Sequence, residues 1–266
     1  MEVPHQIPKI IHYCWFGKTS LPEDAQRCIA SWKKFCPDYE IVEWNETKID
    51  LSALPLYVQQ AYAAQKWAFV ADYVRLYALI RYGGVYMDTD VELVAPLDRF
   101  MNQAAFAGLE DASHVATCVM ACEPEFPLFK EFLLQYSNMQ FLNPDGTLNT
   151  TTNVSRLTDI CLERGMLQNG QCQSVAGLTI YPADYFCPLG YRPFKTDRKH
   201  GRHSLVRRKL VEQRGKIRME NHPSPASHPS CKNGQTAGQS DRNCTISRME
   251  FSCRNFFRFL QKAEEA

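Results

Sequence analysis

The sequence of 266 residues contains 45% hydrophobic and 22% charged residues. This balance is typical of a globular protein and excludes wholesale disorder or a coiled coil. No apolar run approaches the roughly 18–20 residues that cross a bilayer, and the first residues lack a basic and apolar signal sequence. We therefore expect a cytoplasmic protein with one large domain, or one domain with an appendage.

The net charge of +1 conceals an uneven distribution along the chain. Residues 1–191 contain 13 basic and 22 acidic residues, whereas residues 192–266 contain 17 basic and 7 acidic residues. The two parts therefore carry net charges of −9 and +10. We expect a folded domain over residues 1–190 and a basic, cysteine-containing tail of uncertain structure over residues 191–266.

The N-terminal part of the sequence predicts a strand, a helix and a second strand. Residues 9–16 are apolar and β-branched and stop at Gly17, which is typical of a buried strand. Residues 20–24, Ser-Leu-Pro-Glu-Asp, favour a helix start, and that helix should end before Pro37. Alternation over residues 39–44 predicts the second strand. This order indicates an α/β domain with a mainly parallel central sheet.

A long helix is expected over residues 56–82, because this segment is rich in alanine and has no internal glycine or proline. The pair Gly83-Gly84 should end it, and a short apolar strand over residues 85–87 should follow. Further strands are expected at residues 104–109 and 178–181, with a helix at residues 126–136.

The tripeptide Asp88-Thr89-Asp90 is the sharpest feature, because it directly follows that short buried strand. In open α/β sheets, ligands bind at the carboxyl ends of the strands. Two carboxylates suit Mg²⁺ or Mn²⁺, which keeps its other positions for water and phosphate. Asp88 and Asp90 are therefore expected to hold a divalent ion that bridges a diphosphate. The alternative is an ordinary pair of acids in an exposed turn.

Three further candidates lie near this motif. Asp72 and Arg75 are three residues apart, so both project from one face of the long helix. They bind hydroxyls or phosphate, or they form a local ion pair on a solvated face. Trp15 ends the first strand, where it either belongs to the core or stacks on a planar base.

Three ordered blocks resemble glycosyltransferase family 32, the capsular-polysaccharide-synthesis and initiation-specific mannosyltransferase-like enzymes. They are residues 7–17 (IPKIIHYCWFG), residues 71–75 (ADYVR) and residues 82–90 (YGGVYMDTD). Weaker matches at residues 106–110 and 181–186 extend the resemblance over about residues 6–190. It implies a GT-A fold, a UDP- or GDP-linked sugar donor, and Mn²⁺ or Mg²⁺ as the cofactor.

The resemblance also implies roles for individual residues. The residues that match nucleotide-sugar-binding positions are Trp15 at the base, Asp72 and Arg75 at the sugar and phosphates, and Gly84, Tyr86 and Asp88 in and around the motif. Asp88 and Asp90 match the metal-binding carboxylates, with Asp90 as the direct ligand. Asp90 and Arg75 are therefore the expected catalytic residues. Glu110 is a candidate carboxylate on the acceptor side, and the family implies a retaining reaction without an assigned nucleophile.

The end of the chain departs from the family. Members continue to a Thr…His-His…Ser-Trp segment that helps to close the donor site, whereas this chain has a basic stretch from His200 to Arg218. Read one nucleotide later, residues 206–211 can encode Ser-Gly-Gly-Ser-Trp-Leu, so one hypothesis is that the tail is out of frame. Translating the coding DNA in the next frame tests it. The alternatives are a basic helix on anionic lipid and an inert solvated tail.

These patterns predict a metal-dependent glycosyltransferase that transfers a sugar to a surface polysaccharide, such as a capsule, or to a glycolipid. It would be cytoplasmic, with peripheral contact at the inner face of the membrane through its basic tail. A catalytically impaired nucleotide-sugar-binding protein is the alternative, because the C-terminal family motif is missing. No nucleic-acid partner is expected, because the body of the chain is acidic.

Overall fold

The computed structural model describes residues 5–187 and the short strand at residues 206–208. The strands are β1 (Ile10–Cys14), β2 (Glu40–Trp44), β3 (Gly84–Met87), β4 (Val91–Leu93), β5 (Ala105–Leu109), β6 (Val115–Cys122), β7 (Gln173–Val175), β8 (Leu178–Tyr181) and β9 (Val206–Arg208). The α-helices are α1 (Glu23–Phe35), α2 (Leu56–Ala63), α3 (Trp67–Tyr82), α4 (Pro127–Gln135), α5 (Asn153–Glu163) and α6 (Ala183–Phe186). No helix within these described residues is long and apolar enough to cross a membrane.

Seven strands form one sheet in the order β2-β1-β3-β6-β5-β8-β7. β1 is parallel to β2 and β3, and β5 is parallel to β8, whereas β6 and β7 run antiparallel to their neighbours. Five of the seven strands therefore run in one direction, which confirms the predicted α/β class with a mainly parallel sheet. The carboxyl ends of β1, β2 and β3 lie at one edge of the sheet, together with the start of β6.

Strand alternation in β3 assigns its side chains to two faces of the sheet. Val85 and Met87 are fully buried in the core that also contains the apolar side chains of α1. Tyr86 points to the other face, where it meets the side chain of Arg75 from α3. Because alternate residues of a strand share a face, Asp88 continues the face of Tyr86 and is directed toward α3.

The prediction of one helix over residues 56–82 was wrong, because the structure divides this segment into α2 and α3. Gln65 lies between the two helices and has a φ of 56°. This left-handed conformation is uncommon for a residue other than glycine, and it interrupts the helix. The indole of Trp67, at the start of α3, packs against Gly17, just beyond the end of β1.

The backbone at Gly84 requires glycine for two separate reasons. Gly84 has a φ of +93°, and a Cβ atom there would lie 2.6 Å from the carbonyl oxygen of Ile10 in β1. Gly146 has a similar φ of +83° but has no atom within 4 Å of such a Cβ. Comparing alanine substitutions at Gly84 and Gly146 therefore separates the free-energy cost of the backbone conformation from the cost of steric contact.

We expect Gly84→Ala to lower the free energy of unfolding by at least about 3 kcal/mol, because the clash adds to the strained φ. Gly146→Ala should cost only about 1 kcal/mol, from the strained φ alone. Urea denaturation of both variants measures the difference. Equal losses in the two variants would show that the approach of β1 does not require glycine at position 84.

His12 is buried in β1 as a neutral imidazole. Its Nε2 lies 2.9 Å from the carbonyl oxygen of Gly83, and its Nδ1 accepts a hydrogen bond of 3.2 Å from the indole N–H of Trp44. These two contacts assign the proton to Nε2, which donates to Gly83. Burial lowers the pKa of His12 from 6.5 to about 4. Protonation would remove the acceptor that Trp44 requires.

The lowered pKa of His12 predicts acid sensitivity. Above pH 6.5, both folded and unfolded chains hold the neutral ring; between pH 6.5 and 4, only the unfolded chain binds the proton. We expect the contribution of His12 to the unfolding free energy to fall by roughly 3 kcal/mol across this window. Denaturation of the wild type and of His12→Gln from pH 7 to 4 measures the part of the unfolding free energy that depends on His12. Exposed His114→Gln is the control, and an unchanged pH profile in His12→Gln would contradict the account.

β9 is the described part of the range that we assigned to the basic tail. It pairs antiparallel with β4, with Val91 opposite Arg208. β4 begins directly after the Asp88-Thr89-Asp90 motif, so main-chain hydrogen bonds from β9 support the strand that follows the motif. The three hypotheses for the tail, which are a shifted reading frame, contact with lipid and an inert solvated tail, fall on residues outside those that the structure describes.

Candidate functional site

Four of the predicted site residues form one cluster at the carboxyl end of β3. Asp72 and Arg75 lie on α3, Tyr86 lies in β3, and Asp88 follows it. Spacing of three residues places the first two side chains on one face of α3. Strand alternation places the other two on the face of β3 that meets this helix. The cluster therefore follows from local spacing once α3 packs on β3.

Arg75 lies at the centre of the cluster, with its side chain only 6% exposed. Its Nη2 lies 3.0 Å from Oδ1 of Asp72 and 3.5 Å from Oδ1 of Asp88. Its Nη1 donates to the main-chain oxygen of Thr117 at 2.6 Å, and the guanidinium lies 4.5 Å from the centroid of the Tyr86 ring. These contacts compensate a buried cation. They make Arg75 a positioning residue for two carboxylates, while its contact with donor phosphates stays a prediction.

Asp72 is almost as buried as Arg75, with its side chain 13% exposed. Burial raises the pKa of Asp72 from 3.8 to about 6, and the nearby charge of Arg75 opposes this shift. Asn153, at the start of α5, fixes this turn of α3, because its amide donates to the main-chain oxygen of Asp72 at 2.8 Å. The Oδ1 atom of Asn153 accepts a 2.5 Å hydrogen bond from Tyr136. A carboxylate held in this way and with this pKa is typical of a functional site.

The Asp88-Thr89-Asp90 motif forms a turn after β3. The main-chain N–H of Asp88 donates to Cys118 of β6 at 2.9 Å, and that of Val91 donates back to the oxygen of Asp88 at 3.0 Å. The hydroxyl of Tyr86 donates to Oδ1 of Asp88 at 3.1 Å and orients that carboxylate. The side chain of Asp88 is 24% exposed, and Asp90 is half-buried with its Oδ1 atom inaccessible.

The two carboxylates of the motif are an incomplete set of metal ligands by themselves. In the described part of the chain, no three acidic, histidine or cysteine side chains are placed to hold one metal ion. Mg²⁺ and similar ions commonly bind through one or two carboxylates, and water and substrate phosphates complete the octahedron. Asp88 and Asp90 are therefore suited to a divalent ion that binds together with a diphosphate, and not to an ion whose ligands all come from the protein.

Trp15 follows β1 at the same edge of the sheet. It is half-buried against the core, and its main-chain N–H donates to the oxygen of Trp44 at 2.9 Å. Its indole N–H donates to the oxygen of Thr19 at 2.7 Å. These contacts fix the ring in place, so the core interpretation holds for its buried part. Stacking of the exposed part on a base stays a prediction.

The other two candidates lie outside the cluster around Arg75. Gly84 begins β3, at the opposite end of the strand from the motif, and the role that the structure gives it is close packing against Ile10. Glu110 follows β5, whose carboxyl end lies at the same edge of the sheet as that of β3. Its main-chain N–H donates to the oxygen of His114 at 2.8 Å.

Three residues that contact or flank the cluster were missed by the sequence patterns: Thr117 on β6, and Asn153 and Arg156 on α5. Neither β6 nor α5 was predicted. The run of eight buried residues in β6, Val-Ala-Thr-Cys-Val-Met-Ala-Cys, was a usable strand signal. Thr152 was a usable helix signal, because its side chain caps α5 by accepting from the main-chain N–H of Ser155.

The region that contains this cluster is similar to known proteins. Residues 22–107, which include the cluster, match the family described as "Glycosyltransferase sugar-binding region containing DXD motif". The chain is 32% identical over 133 residues to inositol phosphoceramide mannosyltransferase 3 of Schizosaccharomyces pombe, and the matched residues are 48% of this chain and 36% of that protein. It is 26% identical over 191 residues to mannosyl phosphorylinositol ceramide synthase CSH1 of Saccharomyces cerevisiae, and the matched residues are 68% of this chain and 49% of that protein. The solved PaToxG glycosyltransferase is 20% identical, with a TM-score of 0.49, over 60% of this chain and 70% of that chain.

The sheet has the mainly parallel topology of an α/β fold, and residues 22–107, which contain the cluster at the end of β3, are similar to the sugar-binding region of DXD-containing glycosyltransferases. This similarity, together with that to the two yeast proteins, agrees with the family 32 resemblance found in the sequence. The chain spans about one third to one half of the length of the curated relatives that it matches.

Proposed function

We propose that the chain transfers a mannosyl group from a nucleotide-diphosphate donor to a glycolipid, in a reaction that requires Mn²⁺ or Mg²⁺. The buried cluster of Asp72, Arg75 and Asp88 carries the proposal, because it lies at the sheet edge where α/β folds bind ligands. The relatives named inositol phosphoceramide mannosyltransferases support mannose as the sugar and an inositol-phosphate lipid as the acceptor. A cytoplasmic, peripheral location stays a prediction.

In this proposal, the residues of the cluster bind and orient the donor. Asp88 and Asp90 hold the divalent ion, whose chemistry is to neutralise charge on the leaving diphosphate. Asp72 accepts hydrogen bonds from hydroxyls of the donor sugar, and Trp15 contacts the base. Arg75 keeps both of its carboxylate partners oriented, and its fixed positive charge favours the developing negative charge nearby.

The proposed transfer exchanges one bond at the anomeric carbon for another. The bond from C1 of the sugar to the donor phosphate breaks, a bond from C1 to an acceptor hydroxyl oxygen forms, and the hydroxyl proton passes to the leaving diphosphate. We propose retention of configuration at C1, on the family resemblance, and we assign no protein nucleophile. The anomeric configuration of the product, read by NMR, tests this point.

A screen of nucleotide sugars by thermal unfolding tests the proposal. We expect a GDP- or UDP-sugar with Mn²⁺ to raise the Tm, because a ligand that binds only the folded chain stabilises it. Slow donor hydrolysis without acceptor is expected of an active transferase. A Tm increase without hydrolysis would favour the impaired binding protein that the missing C-terminal motif suggests. If no nucleotide sugar shifts the Tm with Mn²⁺ present, the proposal is overturned.

A further inference from the structure

We infer that Arg156, in the first turn of α5, belongs to the acceptor subsite and binds a phosphate group of the acceptor headgroup. This inference rests on the proposed function and deepens it, since it names the residue that binds the phosphate of the acceptor.

The position of Arg156 follows from that of Asn153 on the same helix. The two residues are three apart and therefore project from one face of α5. Asn153 is fully buried and is bonded to the main chain of Asp72, so this face of α5 is turned toward the cluster. The positive charge of Arg156 lowers the pKa of Asp72. Arg156 therefore lies close enough to Asp72 for its charge to act on this carboxylate.

Arg156 differs in its partners from three of the other arginines of the domain. Arg27 pairs with Asp24, Arg164 pairs with Glu131, and Arg75 pairs with two carboxylates. Among the described residues, Arg156 has no ion pair.

The hydrogen bonds of Arg156 are also incomplete. Its Nη2 donates to Oδ1 of Asn149 at 3.3 Å, and its side chain also lies within hydrogen-bonding reach of the Tyr57 hydroxyl. Its Nε is buried and has no hydrogen-bond partner within the described part of the chain. A guanidinium offers five donors in a planar fork that matches phosphate, and a buried donor without an acceptor calls for an explanation. A bound phosphate would provide acceptors for these donors.

The surface beside Arg156 suits a lipid-linked phosphate. Asn149 ends a hairpin over residues 141–149, and Gln60 of α2 anchors this hairpin by accepting from the main-chain N–H groups of Phe141 and Leu142 at 2.8 and 3.0 Å. Leu142 and Leu148 face each other across the hairpin and are 46% and 37% exposed. A hairpin with exposed apolar side chains beside a cation matches a headgroup phosphate that is joined to a hydrocarbon chain. We therefore assign this surface to the acceptor.

Steady-state transfer by the full chain to detergent-solubilised inositol phosphoceramide tests the inference. Arg156→Gln should raise the KM for this acceptor by roughly 10-fold, because a charge-assisted contact is lost, with the KM for the donor and the rate of donor hydrolysis unchanged. Arg156→Lys should restore part of the affinity. Arg164→Gln, on the same helix but paired with Glu131, should match the wild type. Inositol 1-phosphate should inhibit the wild type more strongly than Arg156→Gln. Because this inhibitor has no lipid chain, the comparison separates binding of the phosphate from binding of the lipid chain.

Two results would overturn the inference while leaving the proposed function intact. One is an unchanged acceptor KM in Arg156→Gln. The other is an equal rise in the donor KM, which would place Arg156 in the donor site. If Arg156→Gln does not fold, Asn149→Asp places a carboxylate against the guanidinium and should raise the acceptor KM in the same way; an unchanged KM there overturns the inference. Absence of donor binding by the wild type would instead overturn the proposed function.

Discussion

Asp90→Ala is expected to abolish sugar transfer and to leave the fold intact. The change removes a carboxylate in the turn after β3 that we propose as a ligand of the divalent ion. Without this ligand the ion would bind weakly, so the leaving diphosphate would lose its main counter-charge. We expect kcat/KM to fall by at least about 10²–10³-fold, the usual cost of losing one electrostatic contact to the transition state. Asp90 is half-buried and lies outside the apolar core, so the unfolding midpoint should change little.

Asp38→Ala is the matched control for this variant. Asp38 is an exposed carboxylate that precedes β2, at the opposite edge of the sheet from the motif. It pairs with Lys9, and an exposed pair contributes little to stability. Full activity of the control together with loss of activity in Asp90→Ala is the expected pattern. Full activity of Asp90→Ala, or of the wild type in excess EDTA, would contradict the role of the metal.

Arg75→Met is expected to lower both stability and activity. The variant leaves the carboxylates of Asp72 and Asp88 in a buried site without the cation that now lies 3.0 and 3.5 Å away. Removing one partner of a buried ion pair typically costs about 3–5 kcal/mol, and we expect a loss of this size in urea denaturation. Transfer should fall by at least about 10²-fold, because the carboxylates lose their orientation.

Two companion variants separate charge from geometry at Arg75. Arg75→Lys keeps the charge but loses the planar fork, so it should recover part of the stability and little of the activity. Arg27→Met removes an exposed ion pair with Asp24 and should cost less than about 1 kcal/mol. A loss in Arg75→Met as small as that in Arg27→Met would show that the buried pair does not support the site.

The elements that local sequence determines were predicted well. The strands β1, β2 and β3 and the helix α1 follow from apolar periodicity, glycine and capping residues within each segment. The contact between Arg75 and Asp88 also follows from local spacing, because helix and strand periodicity together place both side chains between α3 and β3. These features need no information about distant parts of the chain.

The features that sequence reasoning missed depend on long-range contacts. Thr117 supplies a main-chain acceptor to Arg75 from 42 residues away. Thr117 lies in β6, which is buried along its whole length, so its sequence lacks the alternation of apolar and polar residues that predicts a strand. Asn153 reaches Asp72 across 81 residues, and no local pattern reports which helices will pack together. The break between α2 and α3 depends on a positive φ at Gln65, a conformation that the residue type does not indicate.

Calorimetric titration of the nucleotide sugar identified by the thermal screen tests the central claim most directly. The titration compares the wild type with Asp88→Asn/Asp90→Asn, each with Mn²⁺ and with EDTA. We predict binding by the wild type only when Mn²⁺ is present, and loss of that binding in the double variant at a temperature where circular dichroism shows that it is still folded. Equal affinity with Mn²⁺ and with EDTA, or full affinity in the double variant, would contradict a diphosphate held by a metal ion at the end of β3.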